Sequence, residues 1–559
     1  MTVIGIDFGT ANSLVGYFDG QAPRIIPNEW GAEVTPTVVN VDETGQVTVG
    51  AVAQSRGVLN PDATAANFKS LLGTAKQYHL RDRQFTPTEL TALVLKSQRI
   101  SAERYLHETI SEAIVSVPSY FDNQQRDALI QAAQLAGLTV MKLVCDPVAA
   151  LAASGISADQ ESRVLVADMG RDRFTVSAVH TIGKTRQVTA QATVNHLGGA
   201  DFTQTLVDDF IVQKGLSELD AAAYMQIATQ MEIIKRGLHF TNQETVFLTV
   251  RGDEYTYTLT AEHLSKIFAP LIDILTEPFT TVLHRVGWQL AAVDKIVFSG
   301  AGGEFPVIQQ HVRTLQGNLS IVSDTPGDRV ALGVAALAGM PLQDLMRPEM
   351  ILTPTAAHSY GIQTRRKTFA GWLTDGFVPL IERGQPLPVE KTVKLATNPA
   401  DTEVFIPIFL GESMHNRNNL QIGECHLQKH PQANELIVIT FRLAADGELQ
   451  ILVSNEATDE LTQQTIEVTP TVANQPVDQA TVQRVNAFAV PQKNEEEDQL
   501  ILTQLERLAN ENNGAIRQQF ENKRRQLIQL LADHNPAAIA KYRQEFDAFL
   551  RDMQSEYIL

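Results

Sequence analysis

Residues 3–13 read VIGIDFGTANS, and residues 164–175 read VLVADMGRDRFT. Each stretch begins with an apolar, strand-like run, reaches an Asp (Asp7 in the first, Asp168 in the second) and turns into more β-rich sequence. This strand-turn-strand pattern predicts a hairpin. Two related hairpins predict two similar halves that face each other across a cleft, and we expect a ligand between them.

The turns of the two hairpins differ in size and charge. Residues 9–12 of the first turn are small, which lets backbone N–H groups approach a phosphate. The second turn keeps Gly170 but continues with Arg171, Asp172 and Arg173. Whether the protein hydrolyses a nucleotide therefore depends on this second turn.

The composition is that of an ordinary soluble protein with several domains. A length of 559 residues predicts two to four domains. The net charge of −19 disfavours nucleic acid or an anionic membrane as the main partner. The two cysteines, Cys145 and Cys425, lie far apart, so neither a disulfide framework nor a CxxC metal site is expected, which favours a reducing, cytoplasmic location.

Membrane and secretion signals are not expected from the sequence. No basic leader precedes Asp7, and the longest apolar stretch, residues 330–342, is too short to span a bilayer.

The patterning divides the chain into four regions. Residues 1–345 alternate β-rich runs with helical stretches and predict an α/β domain. Residues 346–355 are apolar in the middle and bracketed by prolines, which indicates an interdomain linker. Residues 356–490 show period-two runs and predict an antiparallel β domain. Residues 491–559 carry apolar residues at helical spacing.

Local signals refine the last two regions. In the β domain, alternate residues share one face of each of two strands around an Asp446-Gly447 turn, and these residues are Leu436, Val438 and Thr440, then Leu449, Ile451 and Val453. In the tail, breaks at Asn513-Gly514 and Asn535-Pro536 predict three helices.

The order of these regions resembles that of the 70-kDa heat-shock chaperones, and the short tail is most similar to that of the HscC branch. Four local matches carry the resemblance, and they are residues 5–13, 117–126, 197–202 and 445–449. The resemblance implies an actin-like, two-lobed nucleotide-binding domain, a peptide-binding β-sandwich and a short helical lid.

The same resemblance implies a set of cofactors and partners. ATP or ADP with Mg²⁺ would be the cofactors, and unfolded or extended client peptides the ligands. A J-domain co-chaperone and a nucleotide exchange factor would be partners, in protein folding and the stress response.

The resemblance also implies the reacting groups. Asp7 and Asp168 would organise Mg²⁺, mainly through its waters. Lys69 would hold the γ-phosphate and the attacking water. Asp146 stands where the family has Glu, so its carboxylate would reach that water less well. From the residues alone, a strand-ending Asp also caps a turn, and a Lys beside Phe68 is equally a surface residue that packs its stem on apolar neighbours.

Further nucleotide contacts are implied on both sides of the cleft, from Gly9, Thr10, Ala11, Asn12, Gly170, Gly198, Gly199, Glu232, Lys235, Arg236, Gly300, Gly302 and Gly303. Two departures predict weaker binding of ATP: Glu304 stands where the family places an Arg over the adenine, and Gly327 where an Asp is usual. Glu232 and Lys235 are also typical of an ordinary solvated helix face.

The remaining matches concern the peptide and the coupling between domains. Ile362, Leu395, Val404 and Ile406 match positions that line the family's apolar peptide pocket, and they equally suit any β-sandwich core. Pro118 and Arg126 match the pair that signals nucleotide state toward the linker. A Pro that ends a strand and an Arg early in a helix are also common for purely structural reasons.

The second turn departs most from the family, because Arg173 replaces a Thr and Thr175 replaces an Asp. Two hypotheses follow. The first is a chaperone that binds ATP and hydrolyses it slowly, with Arg171 or Arg173 contacting the phosphates directly. The second is a pseudo-ATPase that binds its client constitutively. A sugar kinase on the same actin-like fold is disfavoured by the β domain and the helical tail.

Overall fold

The structure is a computed structural model. It describes residues 2–28, 31–43, 45–156, 161–182, 185–216, 219, 221–237, 243–250, 253–315, 320–324, 326–341, 345, 349–351, 355–368, 371–396, 403–428, 436–444, 448–455, 461–466, 479–487, 493–511, 514–533 and 535–557.

The first lobe is built on a mixed sheet. Its strands are β1 (Ile4–Phe8), β2 (Asn12–Phe18), β3 (Pro23–Ile26), β4 (Thr35–Pro36), β5 (Val38–Val41), β6 (Val47–Val49), β7 (Thr64–Ala66), β8 (Tyr78–Leu80), β9 (Arg83–Phe85), β10 (Glu112–Val117) and β11 (Thr139–Cys145). Its helices are α1 (Ala51–Leu59), α2 (Pro87–Leu106), α3 (Asn123–Leu135) and α4 (Asp146–Ala152). The main sheet has the order β11-β10-β1-β2-β3, in which β1 and β2 form an antiparallel hairpin and β10 runs parallel to β1.

The second lobe repeats this arrangement. Its strands are β12 (Ser162–Met169), β13 (Arg173–Ile182), β14 (Thr185–Asn195), β15 (Gln243–Val250), β16 (Asp253–Thr260), β17 (Lys295–Ser299) and β18 (Ser320–Val322). Its helices are α5 (Gly199–Lys214), α6 (Ala221–Gly237), α7 (Ala261–Asp273), α8 (Thr276–Val286) and α9 (Pro306–Leu315). The next helix, α10 (Arg329–Ala338), returns to the first lobe, where it packs on β1 and β2. The sheet order β18-β17-β12-β13-β14 matches that of the first lobe, which confirms the predicted pair of related hairpins.

Helices α4 and α10 cross between the two lobes at a point that only a glycine can occupy. A Cβ added to Gly333 of α10 would lie 1.9 Å from the carbonyl oxygen of Ala149 in α4. The backbones of the two helices are thus in direct contact. Apolar residues of both lobes pack around this crossing, among them Ile114, Val166 and Val334.

A short strand and a β-sandwich follow. The strand β19 (Glu349–Ile351) lies in the predicted linker and pairs in parallel with β14. The sandwich strands are β20 (Tyr360–Thr368), β21 (Gly371–Ile381), β22 (Val389–Ala396), β23 (Glu403–Leu410), β24 (Leu420–Gln428), β25 (Leu436–Leu443), β26 (Leu449–Asn455) and β27 (Leu461–Ile466). They form two four-stranded sheets with the orders β21-β20-β23-β24 and β22-β25-β26-β27.

The sandwich core uses the alternation of β25 and β26. Ile437, Ile439 and Phe441 of β25 are fully buried, whereas Leu436, Val438 and Thr440 lie on the opposite face. Leu449, Ile451 and Val453 of β26 are fully buried as well. The predicted Asp446-Gly447 turn lies outside the described residues.

Four helices follow the sandwich in the described part of the chain. The first, α11 (Gln479–Ala487), lies within residues 356–490, which the sequence predicted as the β domain, and the tail contains α12 (Lys493–Glu511), α13 (Gly514–Ala532) and α14 (Pro536–Tyr557). The last three are the predicted helices, and they pack around a shared apolar cluster that includes Leu505, Phe520 and Phe546. Arg543 closes the bundle with two hydrogen bonds of 2.9 Å to Asp498.

Both the sandwich and helix α11 are docked on the first lobe. Leu71 of the first lobe packs into the core of the sandwich, and His358 Nδ1 donates a hydrogen bond to the carbonyl oxygen of Ser70 at 3.0 Å. Ahead of the tail, Val485 of α11 packs in the core of the first lobe, and Lys96 Nζ donates a hydrogen bond of 3.1 Å to the carbonyl oxygen of Val485. Among the residues that the structure describes, no helix is both long enough and apolar enough to cross a membrane.

Candidate functional site

The two hairpins place an Asp at equivalent points of the two lobes. Asp7 lies near the end of β1 and accepts a hydrogen bond of 3.0 Å from Ser116 Oγ on the parallel neighbour β10. Asp168 lies near the end of β12 and accepts one of 2.5 Å from Ser299 Oγ on the parallel neighbour β17. The internal symmetry of the domain therefore extends to the hydroxyl that orients each carboxylate.

Lys69 is buried between the first hairpin and the turn that follows β10. It lies on a short 3-10 helix, Phe68–Leu71, which begins after Asn67 in a left-handed conformation with φ of 59°. Its Nζ donates to the carbonyl oxygen of Phe8 and lies 5.6 Å from the ring centroid of Phe121. The side chain is only 4% exposed, so Lys69 is not the surface residue that its apolar neighbours also allowed.

Lys69 lies close enough to three carboxyl groups to lower their pKa values. Desolvation and the neighbouring Asp146 raise the pKa of Asp7 to about 7, against the opposing effect of Lys69. Desolvation also raises the pKa of Asp146, the first residue of α4, and that of Asp168. So much negative charge in a partly desolvated place is stabilised by a cation.

The carboxyl groups suit a hydrated cation better than a directly ligated one. In the described part of the chain, no three His, Cys, Asp or Glu residues are grouped closely enough to ligate a metal ion. Oδ1 of Asp146 is buried without a hydrogen-bond partner among the described residues. Mg²⁺ keeps several of its waters in proteins, so the arrangement fits Mg²⁺ held through water by Asp7 and Asp168.

The first turn is braced from within its own lobe. Thr37 Oγ1 donates a hydrogen bond of 3.0 Å to the carbonyl oxygen of Gly9, and the Thr37 amide donates one of 2.8 Å to that of Ala11. With these carbonyls engaged on one side, the backbone amides of Thr10, Ala11 and Asn12 are candidates for contact with phosphate.

The second turn is tied to the start of α5. The amides of Gly199 and Ala200 donate to the carbonyl oxygens of Gly170 and Arg171 at 3.0 and 2.7 Å. Gly198 is the N-terminal cap of α5, so this helix brings the positive end of its dipole close to the turn. Thr175 forms a hydrogen bond of 3.0 Å with Thr193 on the neighbouring strand.

Of the two arginines in the second turn, one is exposed and one is buried. Arg171 is exposed, whereas Arg173 is only 8% exposed and lies over the ring of Tyr120, with 4.9 Å between the guanidinium carbon and the ring centroid. Burial lowers the pKa of Arg173, but Tyr120, Asp172 and Glu412 together outweigh it and raise this pKa above its usual range. Arg173 is therefore a permanent buried cation.

On the predicted adenosine side, several residues already satisfy one another. Glu232 Oε2 accepts hydrogen bonds from Thr203 Oγ1 at 2.6 Å and from Lys235 Nζ at 2.8 Å, and Lys235 also donates to the carbonyl oxygen of Gly199 at 2.7 Å. These contacts bring Glu232 and Lys235 to the start of α5. Nothing is described of the Arg236 side chain.

The opposing loop packs on the end of β12. Gly300, Gly302 and Gly303 lie at or within a short 3-10 helix, Ala301–Glu304. A Cβ on Gly300 would lie 2.3 Å from the carbonyl oxygen of Met169, so the loop approaches β12 more closely than a larger residue allows. Glu304 is exposed and lies beside Gly327.

Pro118 and Arg126, the predicted signalling pair, are connected through the backbone of Phe121. Arg126 Nε donates a hydrogen bond of 3.0 Å to the carbonyl oxygen of Phe121, and the amide of Phe121 donates one of 3.1 Å to that of Pro118. Arg126 Nη2 also lies 3.8 Å from Sγ of Cys145, the residue before Asp146.

The four predicted peptide-pocket residues belong to one apolar cluster of the sandwich. Ile362 and Ile406 are buried, and Leu395 and Val404 are partly buried. Because they pack in the core, their placement suits both interpretations made from the sequence.

Several residues of the site have no role in the sequence analysis. Ser116 and Ser299 carry a weak signal, since each is a polar residue within or at the end of an apolar strand. Tyr120 lies inside the matched segment 117–126 but has no role assigned there. Arg383 and Glu412 give no signal, because only folding brings them to the second turn.

The residues present fit a magnesium nucleotide at its phosphate end, where buried cations, desolvated carboxyl groups and a helix N-terminus converge. Comparison with known families agrees with this geometry. The family model described as Hsp70 protein matches residues 3–556, nearly the whole chain.

Proposed function

The chain belongs to the Hsp70 family, and we propose that it binds ATP with Mg²⁺ and hydrolyses it slowly to switch its β-sandwich between loose and tight holding of extended apolar peptides. Members of the family are in general ATP-dependent chaperones with an actin-like nucleotide-binding domain and a β-sandwich. For this chain, we infer that ATP hydrolysis is retained.

The observation that carries the proposal is the buried Lys69 among the carboxyl groups of Asp7, Asp146 and Asp168. Mg²⁺ would neutralise charge that develops on the transferred phosphoryl group. In this site Lys69 would hold the γ-phosphate, Asp7 and Asp168 would hold the waters of the ion, and Asp146 would orient the attacking water. Positioning and electrostatics of this kind supply most of the catalysis in phosphoryl transfer.

A second candidate is a pseudo-ATPase with weak or absent ATP hydrolysis, in which the nucleotide domain is a scaffold and the β-sandwich binds its client constitutively. The observation that favours it is the buried guanidinium of Arg173 in the second turn, which lies close enough to Asp146 and Asp168 to lower their pKa values. A fixed cation at this place competes with the metal ion for the same carboxylates.

One experiment separates the two candidates: titration of the full chain with ATP and Mg²⁺, followed by single-turnover release of phosphate. Release at a measurable rate supports the chaperone ATPase, and binding without release supports the pseudo-ATPase. A lack of binding at millimolar ATP overturns the chaperone ATPase and leaves a scaffold that binds its client constitutively.

Variants locate the activity in the site. Lys69→Ala and Asp168→Asn should lower the release rate by about 100-fold or more, since each removes an electrostatic contribution to the transition state. Lys541→Ala is the matched control, because Lys541 is exposed on α14. Arg173→Thr combined with Thr175→Asp should raise the rate if those residues slow turnover. An unchanged rate in Lys69→Ala would show that the lysine is misplaced in this mechanism.

The finer assignments belong to the same proposal. The four sandwich residues Ile362, Leu395, Val404 and Ile406 would line the peptide pocket, and α12 to α14 would form a short lid. The domain boundaries are 1–345, 346–355, 356–490 and 491–559. We also propose a place near the HscC branch, with a J-domain co-chaperone and a nucleotide exchange factor as partners in the cytoplasm, and with Pro118 and Arg126 carrying the signal to the linker.

A further inference from the structure

Arg173 has an unused hydrogen-bonding group that points to a ligand. Its side chain is 8% exposed, and its Nη1 is buried without a hydrogen-bond partner among the described residues. Its Nε lies 3.6 Å from Oδ1 of Asp172. A buried guanidinium normally satisfies all of its N–H groups, so this one is suited to an anion such as a phosphate group.

A second buried guanidinium reaches the same place from the β-sandwich. Arg383 follows β21, is 2% exposed, and lies over the same ring of Tyr120 with its guanidinium carbon 5.2 Å from the centroid. Its Nη2 lies 3.6 Å from Oδ2 of Asp172, and its Nε lies 3.7 Å from Oε1 of Glu412. Arg173 and Arg383 therefore share one aromatic ring and one carboxylate across the boundary between domains.

Arg173 and Arg383 therefore compete for the carboxylate of Asp172 and for the ring of Tyr120. Each repels the other, and Asp172 divides its negative charge between them. An anion bound to Arg173 would offset the repulsion and leave Asp172 and Tyr120 to Arg383. Both changes stabilise Arg383 in its docked position.

We propose that Arg173 is a positioning residue that binds the terminal phosphate of ATP and thereby strengthens docking of the β-sandwich through Tyr120, Asp172 and Arg383. This inference rests on the proposed nucleotide binding. It goes beyond that proposal because the second phosphate turn contacts the sandwich directly, without the linker, and because the residue responsible is the one that departs from the family pattern.

The experiment measures docking of the β-sandwich rather than hydrolysis of ATP. Next to Arg383, the carbonyl oxygen of Arg383 and the carboxylate of Glu382 accept hydrogen bonds from Asn195 Nδ2 at 3.2 and 2.6 Å, so residues 382–385 report on docking. Hydrogen exchange of this segment, measured by mass spectrometry on the full chain, should be slower with ATP than with ADP. The affinities for ATP and ADP are measured on the same samples by calorimetry.

Three variants test the connection. Arg173→Thr should bind ATP but lose the difference in hydrogen exchange between ATP and ADP. Arg173→Lys keeps the positive charge but lacks the planar guanidinium donors, so it should retain part of that difference. Arg383→Gln should exchange faster even without nucleotide and, because coupling is reciprocal, bind ATP about 10-fold more weakly. The double variant Arg173→Thr with Arg383→Gln should lose no more coupling than either single variant.

The matched control is an exposed arginine away from the second turn. Arg442→Gln changes an exposed cation of the sandwich that pairs with Glu390. This variant should keep the wild-type pattern.

The outcomes separate this inference from the proposed function. A full difference between ATP and ADP in Arg173→Thr, with ATP bound, overturns the role of Arg173 and leaves the ATPase proposal intact. An absence of ATP binding in the wild type overturns the proposed function and the phosphate sensing together.

Discussion

The two hairpins of the nucleotide-binding domain share a scaffold and differ in what their turns contact. Both end a central strand at an Asp that accepts a serine hydroxyl from the parallel neighbour. The first turn is held by Thr37 of its own lobe, whereas the second reaches Tyr120 of the other lobe and Arg383 of the sandwich. Duplicated scaffolds can thus keep one copy for holding a ligand while the other acquires a contact between domains.

The largest difference between the turns is expected at their first glycines. A Cβ on Gly9 would lie 2.1 Å from the carbonyl oxygen of Asn12, but a Cβ on Gly170 would meet only the carbonyl oxygen of Arg173, at 3.9 Å. Gly9→Ala should therefore distort its turn and weaken ATP binding by about 100-fold or more, while Gly170→Ala should change the free energy of unfolding by less than about 0.5 kcal/mol. Calorimetric titration and thermal melts measure both. Equal losses in the two variants would show that the turns are equally constrained.

An intermediate difference is expected at the two serines. Ser299→Ala removes a hydrogen bond of 2.5 Å to Asp168, and Ser116→Ala removes one of 3.0 Å to Asp7. Hydrogen bonds to charged groups contribute about 1.5–3 kcal/mol, so Ser299→Ala should weaken binding of magnesium ATP by roughly 10-fold at pH 7, and Ser116→Ala by less.

The direction with pH follows from the carboxyl groups. Both serine bonds lower the pKa of their Asp, so each variant should raise that pKa further and regain affinity as the pH rises. Binding measured at pH 7 and pH 8.5 checks this. A larger loss in Ser116→Ala would reverse the order of importance of the two hairpins.

The smallest effect tests whether the first lobe also controls docking. Burial lowers the pKa of His358, with Arg383 adding to the shift and Asp122, Glu412 and the carbonyl of Ser70 opposing it. The docked state thus favours neutral His358, so docking is fully stable above about pH 6.5 and weakens as the pH falls below it, by at most about 1.4 kcal/mol per pH unit.

Small-angle scattering measures this effect. The radius of gyration of the wild type should rise between pH 7 and pH 5.5 more than that of His358→Asn, whose amide can still donate to Ser70. Identical profiles would mean that other groups govern docking in acid.

The sequence was sufficient for the two hairpins, for the ends of their first strands and for the three helices of the tail. Apolar runs that end at Asp7 and Asp168 predict their own hairpins, because each is complete within about 15 residues. The breaks before Gly514 and Pro536 likewise predict helix ends from local chemistry. In β25, however, both alternate sets are largely apolar, so periodicity alone does not identify the buried face, which proves to be that of Ile437, Ile439 and Phe441.

The contacts between domains could not be predicted from the sequence. Asp172 and Arg383, or Ser70 and His358, are far apart in the chain, and no local pattern marks either pair. Their meeting depends on how the sandwich sits on the lobes, which is set by the total packing rather than by any one segment. The role of the second turn therefore became apparent only from the structure.

The three-residue strand β19 has a consequence for solubility. By pairing Glu349–Ile351 with Arg186–Val188, it covers part of the outer edge of β14. When the linker leaves, that edge presents unpaired N–H and C=O groups, which other extended chains can join. The undocked protein is thus more exposed to self-association than the docked one, and a higher concentration shifts the population toward undocked, self-associated chains.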